Sequence, residues 1–277
     1  MPETTATATF DALTPAHLNG AVALSRAEGW PHRPEDWALI LGLSRGIAAL
    51  DADRVIGTAL ATPFGQAGTL NMIIVARDWR GRGLARTMLE RLMEGDARQW
   101  RLIATVDGLP LYEKLGFVET HRIVQQQGPV AATAAPEGVT WAELGDIDAI
   151  AALDRAATGM DRADLVAALA GAGRLAVIRD AGGLVGYAAL RRFGRGEVAG
   201  PVVARDAADA RRLLAFFFAG RPGAFVRIDT PEASGLADWL AAQGLAPVGA
   251  GIAMIRGGAP AAASEFQSFA LAAQALG

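Results

Sequence analysis

A segment of this chain occurs twice. Val75-Ala76-Arg77-Asp78 returns as Val203-Ala204-Arg205-Asp206, and the same displacement of 128 residues (203 against 75) carries Leu115-Gly116-Phe117 onto Gln243-Gly244-Leu245. Apolar runs keep nearly the same register, 55–60 answering to 184–189 and 46–50 to 175–179. Two copies of one folded unit are predicted, and a long solenoid, which stacks many repeats of about 20–50 residues, is excluded. Between the copies, Gln127-Gly128-Pro129-Val130-Ala131-Ala132-Thr133-Ala134-Ala135-Pro136-Glu137-Gly138 carries no charge until Glu137 and no periodicity, so it reads as a linker. The expected organisation is a first unit over 1–127, a linker over 128–138 and a second unit over 139–257. A tail follows over 258–277, where Phe266, Phe269 and Leu271 stand at helical spacing.

The first copy holds a phosphate cradle that the second lacks. An apolar strand ending at Val75 runs through Arg77-Asp78-Trp79-Arg80-Gly81-Arg82-Gly83 into an amphipathic helix with Leu84, Ala85, Met88, Leu89, Leu92 and Met93 on one face. Gly81 and Gly83 let the backbone approach a ligand, and the first N–H groups of the helix have no internal acceptor, so they suit an anion. Arg80, Arg82 and Arg86 add positive charge, and the helix dipole contributes roughly 0.3–1 kcal/mol per anionic charge. A dinucleotide-binding turn fits less well, since it wants Gly-x-Gly-x-x-Gly and an acidic residue about 20 positions on. In the second copy Ala208, Asp209 and Arg211 stand where Arg80, Gly81 and Gly83 stand in the first, and Leu240 replaces Tyr112. An aspartate and larger side chains there obstruct and repel a polyanion.

A chain of 277 residues, 52% hydrophobic with net charge −3, can bury two ordinary cores and has no basic excess for nucleic acid. Without cysteine it has no disulfide and no thiol nucleophile, and His17, His32 and His121 show no ligand spacing, so no metal is expected. Met1-Pro2-Glu3-Thr4-Thr5 lacks the basic and apolar regions of a secretory signal, which makes the cytoplasm the expected compartment. Residues 55–76 are uncharged, but Pro63-Phe64-Gly65-Gln66-Ala67-Gly68 interrupts them, giving two buried strands and a turn rather than a membrane span.

Strand, cradle, amphipathic helix, a strand near 101–106 and then Leu111-Tyr112-Glu113-Lys114-Leu115-Gly116-Phe117 form an order that resembles the GNAT superfamily, the Gcn5-related N-acetyltransferases. The acyl-CoA signature of that family, Arg/Gln-x-x-Gly-x-Gly/Ala, falls on Arg80, Gly83 and Ala85, and its Tyr-x-x-x-Gly-Phe element on Tyr112, Gly116 and Phe117. The resemblance spans residues 10–257 and is to tandem members in which a degenerate domain follows an active one. It implies an α/β (α+β) fold class: two tandem GNAT folds, each a mixed, mostly antiparallel sheet flanked by helices. It implies acetyl-CoA as cofactor, held by Ile73, Ile74, Val75, Arg80, Gly81, Arg82, Gly83, Leu84, Ala85, Arg86 and Asp107, with Tyr112 as acid beside the thioester sulfur. The implied activity is transfer of an acetyl group to a small-molecule or peptide amine in a ternary complex, by a monomer or homodimer with no nucleic-acid or membrane partner. A non-catalytic acyl-CoA-binding regulatory module shares the same cradle and stays open. Two departures stand out: only Asp107 is available where the family often has asparagine before the tyrosine helix, and Asn71 stands where a carboxylate is common.

An attacking amine must be neutral, yet a lysine-like amine with a pKa of about 10.4 is almost wholly protonated at pH 7, a deficit of about 4–5 kcal/mol. A base or a water path has to remove the proton. The best source is Ala27-Glu28-Gly29-Trp30-Pro31-His32-Arg33-Pro34-Glu35-Asp36-Trp37, which by resemblance joins the first two helices and walls the acceptor pocket. Glu28 and His32 are the candidate bases, and Trp30 and Trp37 the candidate pocket wall. A plainer reading stays open, in which Glu35 and Asp36 start a helix after Pro34 and Trp37 is core. In the second unit Trp141, Trp239 and Phe216-Phe217-Phe218 read as core. Part of the phenylalanine run is expected to meet the first unit, and the second unit to close the acceptor pocket.

Overall fold

The computed structural model of the protein describes residues 7–258 and 264–277. The first half runs β1 (Thr9–Ala12), α1 (Leu18–Ala27), α2 (Pro34–Gly42), β2 (Arg45–Asp51), β3 (Arg54–Phe64), β4 (Ala67–Val75), α3 (Leu84–Met93), β5 (Gln99–Ala104), α4 (Leu109–Lys114) and β6 (Val118–Pro129). The second repeats that order as β7 (Val139–Trp141), α5 (Ile147–Thr158), α6 (Ala163–Ala172), β8 (Gly173–Asp180), β9 (Gly183–Phe193), β10 (Gly196–Ala204), α7 (Ala207–Ala219), β11 (Phe225–Pro231), α8 (Ala237–Ala242) and β12 (Ala246–Arg256). A short β13 (Gln267–Ala270) closes the described chain. The helices follow from their spacing. In α3, Leu84, Met88, Leu89, Leu92 and Met93 are buried, and in α7, Ala210, Leu213, Leu214, Phe217 and Phe218. Beyond its first residue, Arg54, β3 is uncharged and buried on both faces over nearly its whole length, as a central strand must be.

The two halves share one sheet in the order β1-β2-β3-β4-β5-β12-β6-β11-β10-β9-β8-β7. The last strand of each half is exchanged. β12 lies antiparallel on β5 of the first half, and β6 lies antiparallel on β11 of the second, with β6 and β12 also paired to each other. The expected division at 127/128 therefore falls inside β6, whose partners both belong to the second half. A core cluster running from Leu13 to Phe117 also takes in Ile150, Leu165, Val177 and Leu276, so the halves pack on a common interior. No helix among the described residues is long and apolar enough to cross a membrane.

Two parallel pairs interrupt the antiparallel sheet, and both diverge. β4 and β5 pair only from Ala67↔Gln99 to Thr69↔Arg101, so the remainder of β4 leaves its neighbour and opens a cleft. Met72 in β4 has φ +48°, and the β3–β4 register slips beside it between Thr58 and Leu60, which bends the strand at the cleft. The equivalent pair, β10 and β11, separates after Val198↔Arg227, but there β13 fills the wedge by pairing with β10 at Val202↔Ala270, Val203↔Ser268 and Ala204↔Gln267. This corrects the helical tail expected over 258–277, of which residues 259–263 lie outside the described chain. Three apolar positions in so short a segment do not fix a period, and an open strand edge with unpaired backbone groups selects the extended form. The phenylalanine run is also corrected. Phe216 and Phe217 pack on Trp141, and Phe218 stacks on Trp239 with ring centroids 5.8 Å apart, so their aromatic partners all lie in the second half.

Candidate functional site

At the end of β4 the chain makes a 3-10 turn over Arg77–Trp79, and Gly83, at φ +80°, is the N-cap of α3. Gly81 has φ +76°, so both glycines occupy the left-handed region that side chains resist, and a Cβ at either position would project into open space. No side chain caps α3 and its first turn has no acidic residue, which leaves the leading N–H groups to a ligand. Buried Trp79 anchors the loop, with the Arg82 guanidinium 4.5 Å from its ring centroid. Arg80 donates from Nε to the Val75 carbonyl at 3.2 Å, and Arg86 pairs with Glu90 at 2.8 Å. Leu84 is buried, so only its backbone is available; Ala85 is half-buried and Arg86 exposed. Open glycine backbone, uncapped N–H groups and three arginines together fit a polyanionic, diphosphate-bearing group such as CoA.

The second half has no such loop. Helix α7 begins at Ala207, where the repeat register would still be in the turn, and Asp206 caps it by accepting from the Asp209 N–H at 2.9 Å. Its own aspartates thus occupy the place of an anion.

Where β4 and β5 part, a cavity of about 500 Å³ opens between the halves. The first half supplies Trp30, His32, Asn71, Met72, Ile73, Thr105 and Tyr112 to its lining. The second half, with β6, supplies Gln125, Gln127, Phe193, Arg195, Arg227 and residues 273–275. Both halves therefore line this cavity. The rings of the wall follow in series, Trp30 tilted on His32 with centroids 5.8 Å apart and His32 meeting Phe193 edge-on at 5.3 Å. Asp36 fixes this wall. It accepts from the Arg33 side chain at 3.0 Å, from buried Arg191 at 3.2 Å and from the Gly194 N–H at 3.2 Å, tying the start of α2 to the β9–β10 turn.

The titratable groups sort clearly. Tyr112 is held by burial at a pKa of about 12, and its hydroxyl has no protein hydrogen-bond partner among the described residues. Burial, then the Arg227 and Arg191 charges, push His32 down to about 4 against the opposing pull of Asp36, so its ring is neutral at pH 7. Its Nδ1 is buried without a partner. Burial disfavours the charged form of Glu28, but hydrogen bonds and charge from Arg80 and Arg77, at 2.7 and 3.3 Å, outweigh it and hold the carboxyl below its ordinary value.

The expected site residues take these places in the structure. Glu28 lines a different depression, beside Arg77 and Asp78, where it pairs with Arg80 and Arg77 of the loop and is absent from the cavity that Tyr112 lines. Trp37 is fully buried, its Nε1 donating to Ser25 Oγ at 2.7 Å, and belongs to the core rather than the pocket wall. Asp107 is exposed and absent from the cavity lining, where Thr105 is the polar residue at the end of β5. Ile73 reaches the cavity, half-buried Val75 leads to the loop, and Ile74 is core. Sequence reasoning missed the contribution of β6, the β9–β10 turn and the tail. The one local signal was an arginine between two glycines, Gly194-Arg195-Gly196, and only the fold places it at the cavity.

Comparison with known proteins agrees with the repeat. Two family models described as acetyltransferase (GNAT) domain match, one over residues 43–119 and the other over 150–270. A curated Bacillus subtilis (strain 168) relative, "Uncharacterized N-acetyltransferase YitH", is 30% identical over 243 residues, covering 82% of this chain and 84% of its own length. A Pyrococcus horikoshii crystal structure, described only as a candidate acetyltransferase, superposes with a TM-score of 0.81 at 22% identity, covering 98% of this chain and 96% of that one. A tandem GNAT protein from the clavulanic acid biosynthesis pathway superposes with a TM-score of 0.63 at 17% identity, covering 92% and 99% of the two chains. With two GNAT domains, a tandem GNAT fold and this curated relative, the chain belongs to the GNAT N-acetyltransferases.

Proposed function

We propose that the protein transfers an acetyl group from acetyl-CoA to a small primary amine by direct attack in a ternary complex, using the first half's loop for the cofactor and the cavity between the halves for the amine. The observation that carries this reading is the parting of β4 from β5, which brings Ile73 and unpartnered Tyr112 into one cavity lined by both halves, with the uncapped start of α3 following β4 in the chain.

Acetyl-CoA, when bound, supplies an activated carbonyl and a thiol leaving group. Backbone N–H groups at Gly81–Arg86 and the arginine side chains would hold its diphosphate, and the edge of β4 at Ile73–Val75 would orient its thioester arm. Tyr112 keeps its hydroxyl proton at neutral pH and presents it as a hydrogen-bond donor. With a pKa of about 12 against about 8.5 for a thiol, donation of a hydrogen bond is favoured over complete proton transfer. His32 is too weak a base to take a proton from an ammonium; its neutral ring is an acceptor for an amine N–H. The cavity lining contains two arginines and no carboxylate, which disfavours a cationic amine and lowers its pKa, so the proton leaves to solvent before attack. The second half, capped by Asp206 and filled by β13, binds no cofactor.

Turnover of acetyl-CoA with a panel of small amines tests the reading. Tyr112→Phe should lower kcat by about 100-fold, the lower end of the range for one positioned donor, with the KM for acetyl-CoA nearly unchanged. Acetyl-CoA binding without turnover across the panel would replace it with a regulatory acyl-CoA-binding role.

A further inference from the structure

The charge of the amine cavity is one-sided. Arg195 and Arg227 are the charged residues of its lining, and no aspartate or glutamate faces it. The two arginines differ in state. Arg227 is buried and spent on Asp229, with Nε and Nη2 donating to its carboxylate oxygens at 2.9 and 3.0 Å. Arg195 is exposed, rests over the Phe225 ring at 5.2 Å, and has no carboxylate partner among the described residues. It stands in the β9–β10 turn, whose Gly194 N–H donates to Asp36 and whose Gly194 packs so closely on Pro31 that a Cβ would meet that ring at 3.0 Å. The turn is therefore held firmly against the wall that carries Trp30 and His32. Across from it, Gln125 and Gln127 on β6, hydrogen-bonded to each other at 3.3 Å, add neutral amides. The cavity thus combines a guanidinium without a carboxylate partner and neutral amides, from the second half and β6, with Tyr112 and the neutral His32 from the first half.

We infer that the acceptor is a small amine carrying a carboxylate or comparable oxyanion, which Arg195 binds from the second half while the amine end lies toward Tyr112. This rests on the acyltransferase reading and specifies its substrate class. The physical reason is charge pairing: a guanidinium that lines the cavity and has no carboxylate partner is completed by an anion from the ligand, through short, often bidentate hydrogen bonds. A cavity of about 500 Å³ lies within the range for small-molecule sites and suits such a ligand better than a folded protein surface. The inference gives the degenerate half a task, since it contributes the specificity residue while the first half binds the cofactor.

The test compares a ladder of ω-amino acids with the matching carboxamides as acceptors, under one acetyl-CoA concentration. Wild type should favour the carboxylates by about tenfold or more in kcat/KM, mostly through KM, and the preference should shrink with added salt. Arg195→Gln should raise KM for the carboxylates by about tenfold more than for the carboxamides, and Arg195→Glu should reverse the order. Equal kcat/KM for the two series, or a preference untouched by Arg195→Gln, overturns the proposal and leaves the acyltransferase reading standing. Acetylation of neither series, with acetyl-CoA still bound, overturns both.

Discussion

At the scale of single residues, the fold redistributes roles within one short stretch. Glu28 and His32 both looked like bases in the sequence, and what decides between them is who their neighbours are. Two arginines make Glu28 a loop clasp, so Glu28→Gln should leave kcat within about twofold of wild type and alter mainly the KM for acetyl-CoA; steady-state kinetics with both substrates varied would contradict this by a large fall in kcat. His32 is depressed from 6.5 to about 4, so the fold favours its neutral form. Its contribution is complete above pH 6.5 and is lost as pH falls through 4, because the unfolded chain takes up the proton first. Denaturant unfolding at pH 7 and pH 4.5 should show wild type losing on the order of 2 kcal/mol more than His32→Phe over that interval. Equal losses would place His32 in a wetter site than the contacts with Trp30 and Phe193 describe.

At the scale of elements, the junction of α2 with the β9–β10 turn carries the acceptor wall. Asp36 is buried and shared among Arg33, Arg191 and the Gly194 backbone. Asp36→Ala strands Arg191 without its counter-ion, and should cost about 3–5 kcal/mol in urea unfolding; a cost under about 1 kcal/mol would mean that the pair is solvated. The legibility of these elements tracked how local their causes are. The cradle was readable because Gly81 and Gly83 must adopt positive φ next to an amphipathic helix, and α3 followed from its own spacing. Asp36 was not, because an acidic residue after Pro34 is explained by helix capping alone, and its long-range partners lie some 155 residues onward at Arg191. β13 was misread for the same reason: its form is set by the open edge of β10, which no window of sequence around Phe269 contains.

At the scale of the whole molecule, the repeat predicted two copies and the structure joins them. Exchange of β6 and β12 puts the sheet of each half partly in the custody of the other, and the C-terminal residues add to it. Arg162, itself paired with buried Asp154, donates to the carbonyl of Gly277 at 2.6 Å, and Thr69 donates to that of Ala275 at 3.0 Å. Scanning calorimetry should therefore record one cooperative transition, with the calorimetric and van't Hoff enthalpies in agreement. Two resolved transitions would show that the halves fold as separate domains, against the pairing of β6 with β11. The divergence of the copies then has a physical sense: the first keeps an open cleft and a glycine loop, while the second closes its cleft with β13 and turns its β9–β10 edge toward the shared cavity.

The central claim, one working cofactor loop in a molecule built from two copies of the fold, is tested most directly by calorimetric titration of acetyl-CoA into wild type and Gly83→Asp. Gly83→Ala serves as the control, since it carries the same backbone cost of about 1–2 kcal/mol at positive φ without the charge. The account predicts a stoichiometry near one per chain, weakened in Gly83→Ala and abolished in Gly83→Asp. Two sites per chain, or a single site that survives Gly83→Asp, would contradict it.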